Sequence, residues 1–110
     1  HLHGENLYWD IWEDLPFHAL SWSNMLTPPS ISEARKSFCG CIMGGVNERD
    51  IGIYSRERVK EEVRQAVNEN GNYGMIAAPG CAVPTDCPPA NLHAFREAVE
   101  EVASPVKSDE

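Results

Sequence analysis

The run CIMGGVNERDIGIYSRERVKEEVRQAVNENGNYGMIAAPG, Cys41 to Gly80, holds one complete strand–helix–strand unit. Cys41-Ile42-Met43 reads as a short apolar strand that Gly44-Gly45 ends. Ser55 supplies a helix N-cap, and Asn70-Gly71 the stop. Between them Val59, Val63, Ala66 and Val67 recur at i, i+4, i+7 and i+8, which draws one apolar stripe along a helix over 56–70. Tyr73 to Ala78 reads as the next strand, broken by Pro79-Gly80. A strand, a helix and a strand in that order predict parallel pairing through a right-handed crossover.

The same alternation extends to both sides. His1 to His3 reads as the end of a strand. Glu5 to Asp14 reads as a helix with Leu7, Ile11 and Leu15 on one side, stopped by Pro16. Ala19 to Trp22 is a short strand, and Leu26 to Pro29 a loop. Ser30-Ile31-Ser32-Glu33 matches a capping box, with Ile31, Ala34 and Phe38 on the inner side of its helix. Pro88 and Pro89 open the last helix, where Leu92, Phe95, Val99 and Val102 form a face. Residues 104–110 read as a disordered tail, which leaves one domain over 1–103. The order (β)α-βα-βα-βα predicts an α/β fold, the C-terminal half of a (β/α)8 TIM barrel; a small doubly wound sheet is the alternative. A complete barrel takes about 250 residues, so the 110 residues here fill part of one. On that reading the N-terminal half of the barrel is a missing partner, and an isolated piece with open sheet edges should aggregate or dimerise.

Composition narrows the partners. The formal net charge is −8, from 17 acidic and 9 basic residues, which argues against nucleic acid. Glu97, Glu100 and Glu101 fit a solvated helix face. No apolar run is long enough to span a membrane. The opening His-Leu-His-Gly lacks the basic and apolar regions of a secretory signal. Cys39, Cys41, Cys81 and Cys87 contain no C-x-x-C spacing, so a four-cysteine zinc knuckle is disfavoured. Reduced thiols in a cytoplasmic protein are the expectation.

In parallel α/β folds, ligands bind beyond the carboxyl ends of the strands. Those ends are His1 to Asn6, Ser21 to Asn24, Gly44 to Asn47 and Pro79 to Pro84, all polar or glycine-rich. In a strand, His1 and His3 point to one face. Two imidazoles there can share a metal ion, and Cys81, at the end of the last strand, adds a thiolate. Three protein ligands leave a fourth position open, as in catalytic zinc sites. Two hydrogen-bonding histidines are the other reading of the pair. Gly44-Gly45 either lets backbone approach a ligand or makes a tight strand exit. Asn24 and Asn47 are candidates to hydrogen-bond a bound substrate. Trp22 reads as core rather than pocket wall. His18 and His93 read as surface residues, and Cys39, Cys41 and Cys87 as packing or incidental thiols. No catalytic acid, base or nucleophile stands out.

The run Cys41-Ile42-Met43-Gly44-Gly45-Val46, the helix from Val59 to Val67, and above all Ala77-Ala78-Pro79-Gly80-Cys81-Ala82-Val83-Pro84 followed by Pro88-Pro89-Ala90-Asn91-Leu92 resemble the C-terminal end of the uroporphyrinogen decarboxylase superfamily. His1-Leu2-His3-Gly4 and the Ser30–Phe38 stretch fit it too, so the resemblance covers residues 1 to about 102. It implies a (β/α)8 barrel and one of two activities. One branch decarboxylates uroporphyrinogen without a cofactor, on the route to heme and other porphyrins. The other transfers a methyl group from a methylcorrinoid, held by a partner corrinoid protein, to a thiol or related small-molecule acceptor. The methyltransferases bind zinc through a His-x-Cys pair and a later Cys, which the resemblance carries onto His1, His3 and Cys81. His3 stands where the family usually has cysteine, making a less electron-rich donor set. The decarboxylases carry a Gly-His-Gly histidine near the last strand, where this sequence has Gly80. The resemblance thus implies a zinc-dependent methyltransferase. The alternatives are a decarboxylase acting on a tetrapyrrole and a non-catalytic fragment.

Overall fold

The computed structural model describes residues 1–12, 14–71 and 74–103. The expectations placed on Tyr73 and on the tail 104–110 lie outside them. Seven elements follow in order: α1 (Trp9–Trp12), β1 (Ala19–Ser21), α2 (Ile31–Ala34), β2 (Cys41–Val46), α3 (Arg56–Asn70), β3 (Met75–Pro79) and α4 (Pro89–Ala103). The strands form one open parallel sheet in the order β1-β2-β3. Ala19 pairs with Cys41 and Ser21 with Met43, while Ile42 pairs with Met75 and Val46 with Pro79. The alternation of strand and helix is thus as the sequence predicts.

The helix α3 forms where its signals place it. Ser55 Oγ accepts from the Arg58 N–H at 3.1 Å, and Gly71 closes the helix at φ 87°, a conformation that suits glycine. Val59 and Val63 are buried, and with Val46, Ile51, Cys87, Ala94 and Ala98 they tie α3 and α4 to the end of β2, while buried Ala66 faces the other cluster. Each fully buried valine contributes about 1.5–3 kcal/mol over an exposed one. A second cluster, around Trp22, Leu20, Ile31, Ala34, Phe38 and Ile42, packs the other end. Trp22 is wholly buried, as read from sequence, and its Nε1 donates to the Pro29 carbonyl at 2.9 Å.

Several boundaries differ from expectation. His1 to His3 is not a strand, although Leu2 N–H donates to the Ser21 carbonyl at 2.8 Å and so lies along the free edge of β1. The predicted Glu5–Asp14 helix is only Trp9–Trp12. An Asx turn, Asn6 Oδ1 accepting from Tyr8 N–H, and a positive φ of 53° at Tyr8 delay its start. Ile11 and Leu15 are exposed rather than inward. Of the capping box, Ser30 caps the Glu33 N–H as predicted, but the helix runs just four residues. Gly44-Gly45 does not end β2, which continues to Val46. The glycines are there for space: a Cβ on Gly45 would lie 2.9 Å from the Ala66 Cβ, and one on Gly44 would lie 3.0 Å from Asn24 Oδ1. Pro79 belongs to β3. On α4 the buried positions are Asn91, Ala94 and Ala98, whereas Leu92 is exposed.

Polar groups fix the joints. Arg35 donates to the carbonyls of Phe38, Gly40 and Gly74 and to Asn70 Oδ1, at 2.7–3.0 Å. One guanidinium therefore joins the starts of β2 and β3 to the last turn of α3. The turn after β2 is held from behind. Buried Glu62 accepts from Asn47 N–H at 3.0 Å and from Tyr54 OH at 2.7 Å. Asn91 Nδ2 donates to the carbonyls of Ile51 and Tyr54, which explains why an asparagine follows the paired prolines at the head of α4. On the outer side, Lys60 bridges Glu97 and Glu101 of α4, and those hydrogen bonds raise its pKa.

Two stability predictions follow from these joints. Arg35→Lys keeps the charge but loses the fork that serves several carbonyls at once. Chemical denaturation of the full chain should show a loss of about 2–4 kcal/mol. Burial first, and then the hydrogen bond to Glu62, push Tyr54 from 10.0 up to about 12. The stability this represents is fully present below pH 10 and is lost as pH rises through about 12, because the unfolded chain gives up that proton first. The denaturation midpoint of the native protein should therefore fall more steeply over that window than that of Tyr54→Phe.

Candidate metal site and adjoining cavity

Parallel pairing sets the ends of β1, β2 and β3 on one rim, and the Leu2–Ser21 hydrogen bond brings the first residues to it. His1, His3 and Cys81 meet there, 78 residues apart along the chain in the case of His3 and Cys81. One donor atom from each lies within 4.8 Å of the other two. Cys81 Sγ stands 3.9 Å from His3 Nδ1. Both histidines are exposed and Cys81 is partly so. The His1 ring is oriented by Ser21, whose Oγ lies 3.1 Å from Nδ1.

The donor set fits a tetrahedral metal of zinc type. Zinc bonds of about 2.0–2.1 Å to nitrogen and about 2.3 Å to sulfur set neighbouring ligand atoms roughly 3.3–3.8 Å apart. The His3–Cys81 separation of 3.9 Å is already close to that. A small inward movement of exposed side chains completes the triangle. Two imidazoles and one thiolate suit zinc better than a hard cation such as magnesium or calcium, which prefers oxygen. Gly80 lets the chain pass beneath Ser23 on its way to Cys81, since a Cβ there would lie 2.7 Å from the Ser23 Cα.

The substrate candidates occupy different places. Asn24 Oδ1 accepts from the Gly45 N–H at 2.9 Å, so it ties the loop after β1 to β2. Asn47 is buried; its Oδ1 accepts from the N–H groups of Arg49 and Asp50, and its Nδ2 donates to Asp50. Both asparagines shape the rim. Gly44 and Gly45 are buried within β2. His18 and His93 are exposed, apart from the site. All four cysteines are free; Cys39 is exposed and Cys87 buried.

Beside His3 opens a cavity of about 170 Å³, lined among others by Leu2, Leu7, Leu26, Ser23, Thr27 and Glu48. Glu48 is the residue that sequence reasoning misses. It is 8% exposed. Oε2 accepts from Ser23 Oγ, while Oε1 is buried with no hydrogen-bond partner among the described residues. In sequence it sits in Asn47-Glu48-Arg49-Asp50, which reads as an ordinary polar loop. The available signal is its position, two residues past the end of a parallel strand, on the rim where ligands bind.

No curated protein matches the chain. The family model described as Uroporphyrinogen decarboxylase (URO-D) matches residues 1–102. With its alternating helices and parallel strands and its match over nearly all of its length, the chain belongs to the uroporphyrinogen decarboxylase family.

Proposed function

We propose that this chain is the C-terminal, metal-bearing part of a zinc-dependent methyltransferase of the URO-D family, moving a methyl group from a corrinoid protein to a thiol or related acceptor. The observation that carries this reading is the convergence of His1, His3 and Cys81. The family includes both decarboxylases and methyltransferases, and a nitrogen–sulfur donor cluster on the rim favours the second. In the proposed role these three residues would hold zinc, which would supply the Lewis acidity that favours a deprotonated thiol near neutral pH. In the overall reaction a methyl–sulfur bond forms, the methyl–cobalt bond breaks with its electron pair left on cobalt, and the thiol proton goes to solvent.

The protein's own residues do the positioning. Ser21 orients His1. Gly80 sets Cys81 at the rim. The cavity next to His3 offers room for the acceptor on the side walled by Leu2, Leu7 and Leu26. We place the N-terminal half of the barrel as the partner that closes the open sheet. Ile76 on β3 is 48% exposed, an apolar position that further strands would cover. No described helix is long and apolar enough to cross a membrane.

Purified without chelator, the intact protein should hold about one zinc per chain. His3→Ala and Cys81→Ser should each lower zinc affinity by at least about tenfold. With cobalt in place of zinc, the sulfur-to-cobalt absorption band should be present in the native protein and absent in Cys81→Ser. A metal-free protein that will not take up zinc contradicts the reading. Turnover of uroporphyrinogen would replace it with the decarboxylase assignment, and neither activity with its partner half present would leave a non-catalytic assembly role.

A further inference from the structure

The wall of the cavity beside His3 also holds two charged side chains, Arg49 and Glu5. The other polar side chains on that wall are engaged. Ser23 Oγ donates to Glu48 Oε2, Thr27 Oγ1 donates to the Gly4 carbonyl, and His3 Nδ1 lies against Cys81 Sγ. Glu48 Oε1 is sealed beneath Gly80 and faces nothing in the cavity. Arg49 and Glu5 differ: among the described residues neither side chain makes a hydrogen bond or ion pair, with the other or elsewhere. Arg49 is unpaired although it stands between two acidic residues. Glu48 is turned to Ser23, and Asp50 accepts from Asn47 Nδ2 at 3.2 Å. On the helices, by contrast, Arg58, Lys60, Arg64 and Arg96 each meet a carboxylate. A guanidinium left open on the rim where ligands bind can take a carboxylate on its fork.

The two charges are opposite in sign and share a cavity of about 170 Å³. That is comparable with the roughly 150 Å³ cavity that takes benzene, so it holds about six to eight non-hydrogen atoms. In so small a space an anion drawn to Arg49 is repelled by Glu5, and a cation drawn to Glu5 is repelled by Arg49. A molecule that carries both charges meets a partner for each.

We propose that Arg49 and Glu5 select a zwitterion, a small molecule whose carboxylate lies on Arg49 and whose ammonium lies on Glu5. Leu2, Leu7 and Leu26 wall its short carbon chain. This rests on the methyl-acceptor reading for one part only, the thiol at the molecule's other end, directed to His3 and Cys81. The acceptor class is then a short amino acid with a side-chain thiol.

Three thiols are titrated calorimetrically into the zinc-loaded full chain: homocysteine, which has both charges, 3-mercaptopropionate, which has the anion alone, and cysteamine, which has the cation alone. Homocysteine should bind at least about fivefold more tightly than either, because one attraction is gained and one repulsion removed. Arg49 and Glu5 are both exposed, so neutral variants should fold. Arg49→Gln should weaken homocysteine and 3-mercaptopropionate and not cysteamine. Glu5→Gln should weaken homocysteine and cysteamine and not 3-mercaptopropionate. Either singly charged thiol binding as tightly as homocysteine overturns the inference, and so does a homocysteine affinity that both variants leave unchanged.

A thiol-free zwitterion on the zinc-free chain separates this result from failure of the methyl-transfer reading. Ligand-observed NMR should show 2-aminobutyrate bound to the native chain and released in each variant, an outcome that supports the charge pair even if zinc is never taken up. Binding of 2-aminobutyrate equally to all three forms counts against the pair. Zinc uptake with no binding of 2-aminobutyrate overturns the inference and leaves the methyl-transfer reading standing.

Discussion

The backbone ladder on either edge of β2 carries the ends of β1 and β3 to a single rim. Parallel pairing makes every strand finish on the same side, so residues far apart in the chain become neighbours without any long-range contact of their own. Leu2 joins the rim by one hydrogen bond to Ser21. Gly80 N–H joins it by another to the Val46 carbonyl at 3.0 Å. The meeting of His1, His3 and Cys81 follows from these attachments.

The rim stays in place because its supports lie behind it. The cluster built from Val59, Val63, Ala94 and Ala98 presses α3 and α4 together beneath the end of β2. Glu62 and Asn91 pin the turn that carries Asn47 and Glu48. Polar atoms in these supports are paired, as buried polar groups in folded proteins generally are. Glu48 Oε1 is the exception among the described side chains. An unpaired buried acceptor costs stability, and this one is covered by Gly80, where a Cβ would lie 2.9 Å from it.

Much of this was legible from residue order. The helix α3 was readable because its cap, its stripe and its glycine stop agree with one another. The convergence of the His-x-His pair with Cys81 followed from parallel topology. The departures share a cause: they depend on partners distant in sequence. Gly44 and Gly45 looked like a strand exit, but the strand runs through them, and their missing side chains make room for Asn24 and Ala66. Nothing in the local pattern singles out Arg35, yet the carbonyls of Phe38, Gly40 and Gly74 gather on it. Glu48 is buried because Ser23 and Gly80, from two other strand ends, close over it. No local pattern announces such contacts. Short helices are likewise hard to read, since four residues show little periodicity, and α1 and α2 are both of that length.

The central claim is that two imidazoles and one thiolate share a metal. Zinc-edge X-ray absorption of the zinc-loaded protein tests it most directly. The account predicts a mixed first shell, with one sulfur at about 2.3 Å and two or more nitrogen or oxygen atoms at about 2.0–2.1 Å, and loss of the sulfur component in Cys81→Ser. A shell of light atoms alone in the native protein, or one unchanged by that substitution, would contradict it.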